Sequence, residues 1–319
     1  MATDLHRRDV LGALGGAAAL SVAGAPAFAA AKATSLPFLA VGDWGRDGAS
    51  HQRDVAMRMG RAAEAIDAGF VLSVGDNFYS AGVRSVSDPQ WRTSFEDVYT
   101  AASLQKPWHV ALGNHDYRGS PQAQIDYSRT SPRWRMPARY YKLSGADLGA
   151  PQVDFFCIDT SPMVSSYRQE FDDAIQANVA SQDVDAQLAW LEGELSASKA
   201  PWKLVFGHHT VFSGGSTHGN TPELVARLKP ILERHGVQAY INGHDHDLQH
   251  IQVAGVNYVC TGAGSEVRPV SAIPGTRFCL SRSGFSLYRL GLEALDLEFR
   301  DYLGATVYRA VLPRQGGAA

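Results

Sequence analysis

Residues 70–79 read FVLSVGDNFY, and this short stretch contains the pattern that decides the fold. A nearly continuous apolar run ends in Gly75, and the carboxylate of Asp76 and the amide of Asn77 follow at once. Apolar runs of this length are typical of strands that are buried on both faces of a sheet. Because glycine followed by Asp or Asn favours a tight turn, we expect these polar side chains just beyond the carboxyl end of the strand.

The same arrangement recurs along the chain. Further apolar runs cover 36–42, 108–113, 153–158, 202–207 and 237–243, and the turns after them begin with Asp43, Asn114, Asp159, His208 and His244. Helical spacing of apolar residues appears at 52–68, 187–198 and 222–235. Alternating strands and helices predict an α/β fold with a buried sheet, whereas 285–298 and 306–312 predict antiparallel strands. Polar groups from separate turns are therefore expected to meet at one edge.

Seven side chains in or near these turns are candidate metal ligands: Asp43, Asp76, Tyr79, Asn114, His208, His244 and His246. Oxygen donors mixed with imidazole, without cysteine, favour iron, manganese or zinc over copper(I) or an iron–sulfur cluster. Seven donors exceed what one four-coordinate zinc takes, but they suit two metals that share a carboxylate. An Asp or Asn after glycine is by itself usually a turn residue, so the prediction depends on the complete set.

Five blocks contain these donors, in the order Gly42-Asp43-Trp44-Gly45, Gly75-Asp76-Asn77-Phe78-Tyr79, Gly113-Asn114-His115-Asp116, Gly207-His208-His209 and Gly243-His244-Asp245-His246. The ordered blocks resemble those of the calcineurin-like metallophosphoesterase superfamily, and within it the purple acid phosphatases of the tartrate-resistant type. The similarity runs from about residue 36 to 312, and Tyr79 is the residue that distinguishes this group. The resemblance implies a four-layer αββα sandwich, with two mixed sheets flanked by helices.

The resemblance also implies a dinuclear metal centre. Iron(III) would bind Asp43, Tyr79 and His246, a divalent iron, zinc or manganese would bind Asn114, His208 and His244, and Asp76 would bridge them. The donor charges agree with this division, because a phenolate and two carboxylates favour the trivalent ion.

The implied reaction is hydrolysis of phosphate monoesters at acidic pH, with a hydroxide generated from water by the metals as the nucleophile. His115 and His218 match the family histidines beside the substrate, and which of them gives the leaving group its proton is left open. His209 is expected either to pack against neighbouring side chains or to contact the substrate. Asp116 and Asp245 are expected to orient ligand imidazoles or to cap turns.

Two other functions remain open on this scaffold. One is a manganese- or zinc-dependent phosphodiesterase or nucleotidase, against which Tyr79 argues. The other is a metal- or phosphate-binding protein without turnover, which the complete donor set together with His115 disfavours. A serine hydrolase is disfavoured because the sequence contains no Gly-x-Ser-x-Gly elbow.

The N-terminus reads as an export signal. Arg7-Arg8 precede a short apolar run, and Ala27-Phe28-Ala29 form a cleavage site, so we expect a twin-arginine signal at 1–29. A metallophosphoesterase domain is expected at 30–313 and a disordered tail at 314–319. The product would be periplasmic or secreted, a monomer without stable membrane association. A net charge of −3 does not favour a nucleic-acid partner, which leaves a small phosphomonoester as the expected substrate.

Other features carry weaker expectations. Residues 161–185 are polar and lack steady periodicity, which predicts a long exposed loop where the family has a loop that restrains activity. Cys157 is expected to be a buried apolar residue, and Cys260 and Cys279 are candidates for a disulfide after export. The remaining histidines considered are expected to be structural: His51, His109, His235 and His250.

Overall fold

The computed structural model describes residues 35–170 and 172–314. The predicted export signal at 1–29 lies outside these residues, as do residues 315–319 of the predicted tail. The part of the chain that is described contains no helix long and apolar enough to cross a membrane.

The strands form two mixed sheets. In sequence order they are β1 (Leu36–Val41), β2 (Phe70–Val74), β3 (Trp108–Ala111), β4 (Trp134–Arg135), β5 (Tyr141–Ser144), β6 (Val153–Cys157), β7 (Trp202–Phe206), β8 (Ala239–Asn242), β9 (Leu248–Val253), β10 (Val256–Thr261), β11 (Thr276–Leu280), β12 (Gly284–Leu290), β13 (Ala294–Asp301) and β14 (Thr306–Pro313). The first sheet has the order β14-β13-β12-β1-β2-β3-β4 and the second β11-β9-β10-β8-β7-β6-β5.

Each sheet has a parallel centre. Strands β1 to β4 run parallel in the first sheet, as do β6, β7, β8 and β10 in the second. The chain's last three strands, β12 to β14, extend the first sheet in antiparallel fashion from β1, as their alternating pattern predicts. The six apolar runs read from the sequence are all strands of these parallel centres.

Helices cover the outer faces. They are α1 (Gln52–Ile66), α2 (Pro121–Tyr127), α3 (Asp173–Ala180), α4 (Val184–Ala197), α5 (Pro222–Arg227) and α6 (Lys229–Arg234). Short 3-10 turns lie at Ala102–Leu104, Asp116–Arg118, Ser161–Met163 and Ser165–Gln169, and one wider helical turn lies at Trp91–Glu96. The helical pattern predicted at 222–235 splits into α5 and α6, since Pro230 lacks the N–H that a continuous helix needs.

Alternating side chains of the strands enter different cores. Leu39 and Val41 of β1 join the core under α1, whereas Phe38 of the same strand faces the second sheet. Phe155 of β6 joins that inter-sheet core, and its neighbour Phe156 packs with the side chains of α4 to α6. Three cores between four layers follow, so the predicted αββα sandwich is confirmed.

The segment predicted as an exposed loop at 161–185 is instead mostly helical. Asp172 caps α3 by accepting hydrogen bonds from the backbone N–H groups of Ala174 and Ile175. Ile175 and Val179, four residues apart, are buried in the core under the first sheet. The sequence-based prediction of a loop was wrong because an eight-residue helix with two buried apolar side chains is too short to show a clear periodicity.

The three cysteines are free thiols in the structure. Cys157 is buried between the sheets, as predicted. Cys260 on β10 and Cys279 on β11 are separated by β9, which lies between their strands. Two strand spacings amount to roughly 9–10 Å, beyond the reach of a disulfide, so the candidate pairing is wrong.

Candidate metal centre

The polar turns of both sheets meet at one end of the sandwich. The turns after β1, β2 and β3 carry Asp43, Asp76, Tyr79 and Asn114, and those after β7 and β8 carry His208, His244 and His246. Backbone hydrogen bonds join neighbouring turns within each sheet, from Asp43 N–H to Gly75 O at 3.0 Å and from Gly243 N–H to His208 O at 3.0 Å. All seven predicted donors are buried.

Three of these donors surround the phenol of Tyr79. Its hydroxyl oxygen lies 2.9 Å from Asp43 Oδ1, 2.8 Å from Asp76 Oδ2 and 3.1 Å from His246 Nε2. A phenol has one proton, which cannot satisfy two carboxylates and an imidazole together. These closely spaced donor atoms are therefore better satisfied by a bound cation than by hydrogen bonds among themselves.

A second group of donors surrounds His208. Its Nε2 lies 3.2 Å from Asn114 Oδ1, 3.2 Å from His244 Nδ1 and 3.5 Å from Asp76 Oδ1. The other ring nitrogen, Nδ1, lies 2.9 Å from the carbonyl of Val74 and donates to it, which leaves Nε2 as the nitrogen that faces the group.

Asp76 belongs to both groups. Its Oδ2 faces Tyr79, while its Oδ1 faces His208 and accepts a hydrogen bond of 2.8 Å from the backbone N–H of His115. The two oxygens of one carboxylate thus point to two separate donor sets. This is the arrangement expected of a bridging ligand between two metals.

Negative charge is concentrated in this buried cluster. Burial alone would raise the pKa of Asp76, but His208 and then His115 hold that pKa well below its usual value. Burial, and then the carboxylates of Asp43 and Asp76, raise the pKa of Tyr79 well above its usual value. Burial opposes the charge on His208, yet Asp76 and Asp43 raise its pKa to about 9. In the absence of a cation, these shifts favour a neutral phenol at Tyr79 and a charged imidazole at His208.

The backbone at three of the donors is in the left-handed region, with φ of 60° at Asp43, 50° at Asp76 and 74° at His244. Such conformations are costly for residues with a side chain and occur where a functional site requires them. The turn of Asn114 passes so close that a Cβ on Gly113 would lie 2.2 Å from Asp76 Oδ1. Glycine at this position allows the two turns to touch.

The donor set fits a dinuclear centre. Ligand atoms of Asp43, Asp76 and His208 lie within 4.8 Å of one another, as do those of His208, His209 and His244. His209 is the member that the sequence left undecided. Its Nδ1 lies 2.8 Å from Thr160 Oγ1 and its Nε2 2.8 Å from the hydroxyl of Tyr167, so both ring nitrogens already have partners.

The two predicted catalytic histidines lie at the mouth of the cluster. His115 is partly exposed, with Nδ1 2.6 Å from the carbonyl of Ser80 and Nε2 4.0 Å from Asp76 Oδ2. The ring of His218 stacks on His244 with the centroids 4.0 Å apart. Both histidines line a groove of about 630 Å³ that opens beside the donors.

Asp116 and Asp245 cap turns. Asp116 accepts hydrogen bonds from the backbone N–H of Gly113 at 2.8 Å and from Gln124 Nε2 at 2.7 Å. Asp245 accepts from the backbone N–H of Gly219 at 3.1 Å and of His218 at 3.3 Å. The turn with the His244 and His246 donors therefore also holds the loop of His218 in place.

Two groove residues were missed by the sequence reasoning. Tyr167 reaches His209 from the 3-10 turn at Ser165–Gln169, and Arg268 Nη1 lies 2.9 Å from His218 Nε2. Neither residue is part of a motif, and no periodicity of the sequence marks either of them. The residues expected to be structural, including His109 and His250, line neither the donor cluster nor this groove.

Comparisons with known proteins agree with the fold and the site. A family model described as calcineurin-like phosphoesterase matches residues 36–248. Purple acid phosphatase 17 of Arabidopsis thaliana is 39% identical over 88% of this chain and 85% of its own length. Tartrate-resistant acid phosphatase type 5 of Homo sapiens is 35% identical over 91% of this chain and 94% of its own.

Solved structures show the same architecture. GAP50, described as the anchor in the inner membrane complex of Plasmodium, matches with a TM-score of 0.75 and 25% identity over 88% of this chain and 89% of its own. Purple acid phosphatase PPD1 of yellow lupin matches with a TM-score of 0.65 at 15% identity, over 89% of this chain and 55% of its own, which shows the fold alone. Because one neighbour is described as an anchor, a functional conclusion has to rest on the site.

Proposed function

Because this chain belongs to the calcineurin-like phosphoesterase family, and within it to the purple acid phosphatases, we propose that it hydrolyses phosphate monoesters at acidic pH on a dinuclear metal centre. The chain is thus a metal-dependent phosphoester hydrolase by family, and the proposal concerns its metals, its optimum and its mechanism. The supporting observation is the carboxylate of Asp76, whose two oxygens face two separate donor sets.

We propose that the two sites hold different metals. Asp43, Tyr79 and His246 would hold iron(III), because this site has a phenolate and two carboxylates when Asp76 is included. Neutral donors dominate the other site, formed by Asn114, His208 and His244, which suits divalent iron, zinc or manganese. Such a pair of cations neutralises charge on a transferring phosphoryl group and lowers the pKa of a bound water.

His115 is the proposed proton donor to the leaving group. A carbonyl only accepts hydrogen bonds, so Nδ1 of His115 carries a proton toward Ser80, and Nε2 is the nitrogen directed at the cluster. When Nε2 is protonated as well, it can give that proton to the leaving oxygen. Its backbone N–H, bound to Asp76, keeps the ring at the edge of the donors.

His218 is a poorer donor in this arrangement. The guanidinium of Arg268 can only donate hydrogen bonds, so Nε2 of His218 accepts and has no proton of its own to give. We propose that His218 helps to bind the substrate instead.

The cellular setting is a further part of the proposal. We propose that the protein is exported after it has folded, that it acts as a periplasmic or secreted monomer, and that its substrate is a small phosphomonoester. The twin-arginine pattern at residues 7–8 supports an export route for folded proteins that carry cofactors. N-terminal sequencing of the exported protein tests this, with a start at Ala30 as the expected result.

Metal analysis combined with a pH–rate profile tests the proposed activity. Protein exported by its native host is expected to contain two metals per chain, to be coloured, and to hydrolyse phenyl phosphate fastest below pH 7. Colourless, iron-free protein that prefers diesters would establish the phosphodiesterase alternative. Metal-loaded protein with no measurable turnover of phenyl phosphate would establish the binding-protein alternative.

A further inference from the structure

The groove beside the donor cluster is where the leaving group of a bound ester would lie. Its walls carry four charged side chains besides the histidines: Arg118, Glu170, Glu223 and Arg268. Any charge on the leaving group of such an ester would therefore interact with these four side chains.

Most of these charges have partners within the protein. Arg118 lies 2.8 Å from the carboxylate of Glu170 and 3.8 Å from that of Asp172. Glu223 has no basic partner within 4.0 Å among the described residues, but its carboxylate accepts hydrogen bonds from the backbone N–H of Ser165, at 2.9 Å, and from the Ser165 hydroxyl. Arg268 differs from Arg118, because among residues 35–170 and 172–314 no carboxylate oxygen lies within 4.0 Å of its guanidinium.

Arg268 is held in place by backbone contacts. Its N–H donates to the carbonyl of His246 at 2.9 Å, which ties it to the turn of the donor cluster. The next residues pair with the loop of His218, through Ser216 N–H to Pro269 O at 3.0 Å and a β-bridge between Gly215 and Val270. A cation without an acidic partner is thus fixed on the groove wall.

We propose that Arg268 selects phosphate monoesters whose leaving group carries a second negative charge, either a carboxylate or a further phosphate. The guanidinium is charged at every physiological pH and has five N–H donors in a planar fork. One of these donors is bound to His218, so others remain for a bidentate bond to an anion. This inference rests on the proposed phosphatase activity and adds the substrate class.

The test compares phenyl phosphate with 4-carboxyphenyl phosphate at pH 6, where the benzoate carboxylate is ionised. The metal-loaded enzyme is expected to have a higher kcat/KM for the carboxylated ester. Arg268→Gln should lower the ratio of kcat/KM for the carboxylated ester to kcat/KM for phenyl phosphate about tenfold, since hydrogen bonds to charged groups are strong, whereas any effect through His218 is shared by both esters and leaves the ratio unchanged. Glucose 6-phosphate and glucose 1,6-bisphosphate make the same comparison for a second phosphate.

Arg129→Gln is the matched control, because it removes the same charge from a side chain that is 81% exposed and lies outside the groove. It should leave both values of kcat/KM unchanged. Arg268→Lys, which retains the charge but not the fork, should restore part of the preference.

If Arg268→Gln lowers kcat/KM equally for both esters, or lowers it for neither, the proposed selectivity is wrong. A second measurement uses only the unmodified enzyme, so its result does not depend on whether the variants fold. Raising the salt concentration should weaken the preference of the unmodified enzyme for the charged ester, and an unchanged preference would also overturn it. If the unmodified enzyme hydrolyses none of the esters, the proposed phosphatase activity itself is wrong.

Discussion

Tyr79 is the side chain that joins three other donors around one oxygen atom, at 2.8 to 3.1 Å. Tyr79→Phe removes that oxygen and keeps the ring. We predict loss of the visible absorption band with the fold intact, because in our proposal this band comes from the Tyr79 phenolate bound to iron(III). The measurement is an absorption spectrum alongside metal analysis.

Tyr258→Phe is the matched control, since Tyr258 is buried among Ile251, Val256 and their neighbours and lies outside the donor cluster. Its variant should keep the colour. Unchanged colour in Tyr79→Phe would show that the assignment of the iron(III) site is wrong.

His115 faces the donors without being one of them in our proposal. We predict that His115→Ala lowers kcat by at least about a hundredfold, the usual size of general acid catalysis, with the metal content unchanged. Single-variant kinetics and metal analysis measure the two effects. His51→Ala, at an exposed histidine that pairs with Asp54, should change neither. If metal content falls in step with kcat, His115 is a ligand or a structural residue.

His109 makes the fold sensitive to acid. Burial, followed by the charge of Arg135, lowers its pKa to about 4 from a usual value of 6.5. Below pH 6.5 the His109 imidazole is therefore protonated in the unfolded chain, whereas in the folded protein it stays neutral down to about pH 4. Stability is retained above pH 6.5 and is lost through this window, by up to about 3 kcal/mol from the size of the shift.

His109→Phe removes this titration while a ring remains beside Phe70. We predict that the variant gains stability relative to the unmodified protein at pH 5 but not at pH 7.5. Urea unfolding at both pH values measures the difference. A gain that does not depend on pH would mean that packing, and not the proton, is responsible.

At the scale of elements, the 3-10 turn at Ser165–Gln169 lines one side of the groove, and helix α3 packs against this turn; together they form the cover. Tyr167 of this cover binds His209, and Ile175 of α3 anchors it in the core. Regulation of activity by this segment remains a hypothesis, and it should be abandoned if proteolytic cleavage leaves kcat and KM unchanged.

Ile175→Ala tests how firmly this cover is anchored. We predict that the free energy of unfolding falls by about 2–4 kcal/mol, the cost of removing a buried isoleucine side chain. Asp173→Ala, at an exposed position in the first turn of α3, should lower it by no more than about 1 kcal/mol, the size of a carboxylate's interaction with the helix dipole. Equal, small effects in both variants would show that α3 opens independently of the core.

At the scale of the whole molecule, bound metals should increase the stability of the folded protein. The donors come from both sheets, and burial together with the carboxylates of Asp43 and Asp76 opposes ionisation of the Tyr79 phenol when cations are absent. We predict that chelation lowers Tm, because ligands that bind only the folded state stabilise it, by about 4 kcal/mol at a thousand times Kd. Calorimetry before and after chelation measures this.

Re-addition of iron and zinc should restore Tm together with activity. If Tm is the same with and without metals, the cluster is preformed and the cations contribute no stability.

Much of the fold could be predicted from the amino-acid sequence because its signals are local. The apolar run at 70–74 and the Gly-Asp turn after it depend on side-chain patterning and backbone sterics within a few residues. The same holds for the other runs and for the donors that follow them. The short helix α3 and the split between α5 and α6 were missed, because helices of six to eight residues have too few apolar positions to form a clear pattern.

The tertiary structure alone decided which distant residues share the groove. Arg268 meets His218, fifty positions away in the chain, and Tyr167 meets His209. Strand order likewise separates Cys260 from Cys279. Such contacts depend on how whole sheets and loops pack, and no local propensity encodes them. The donor types were therefore determined by the sequence itself, whereas the charges on the groove wall were determined by packing.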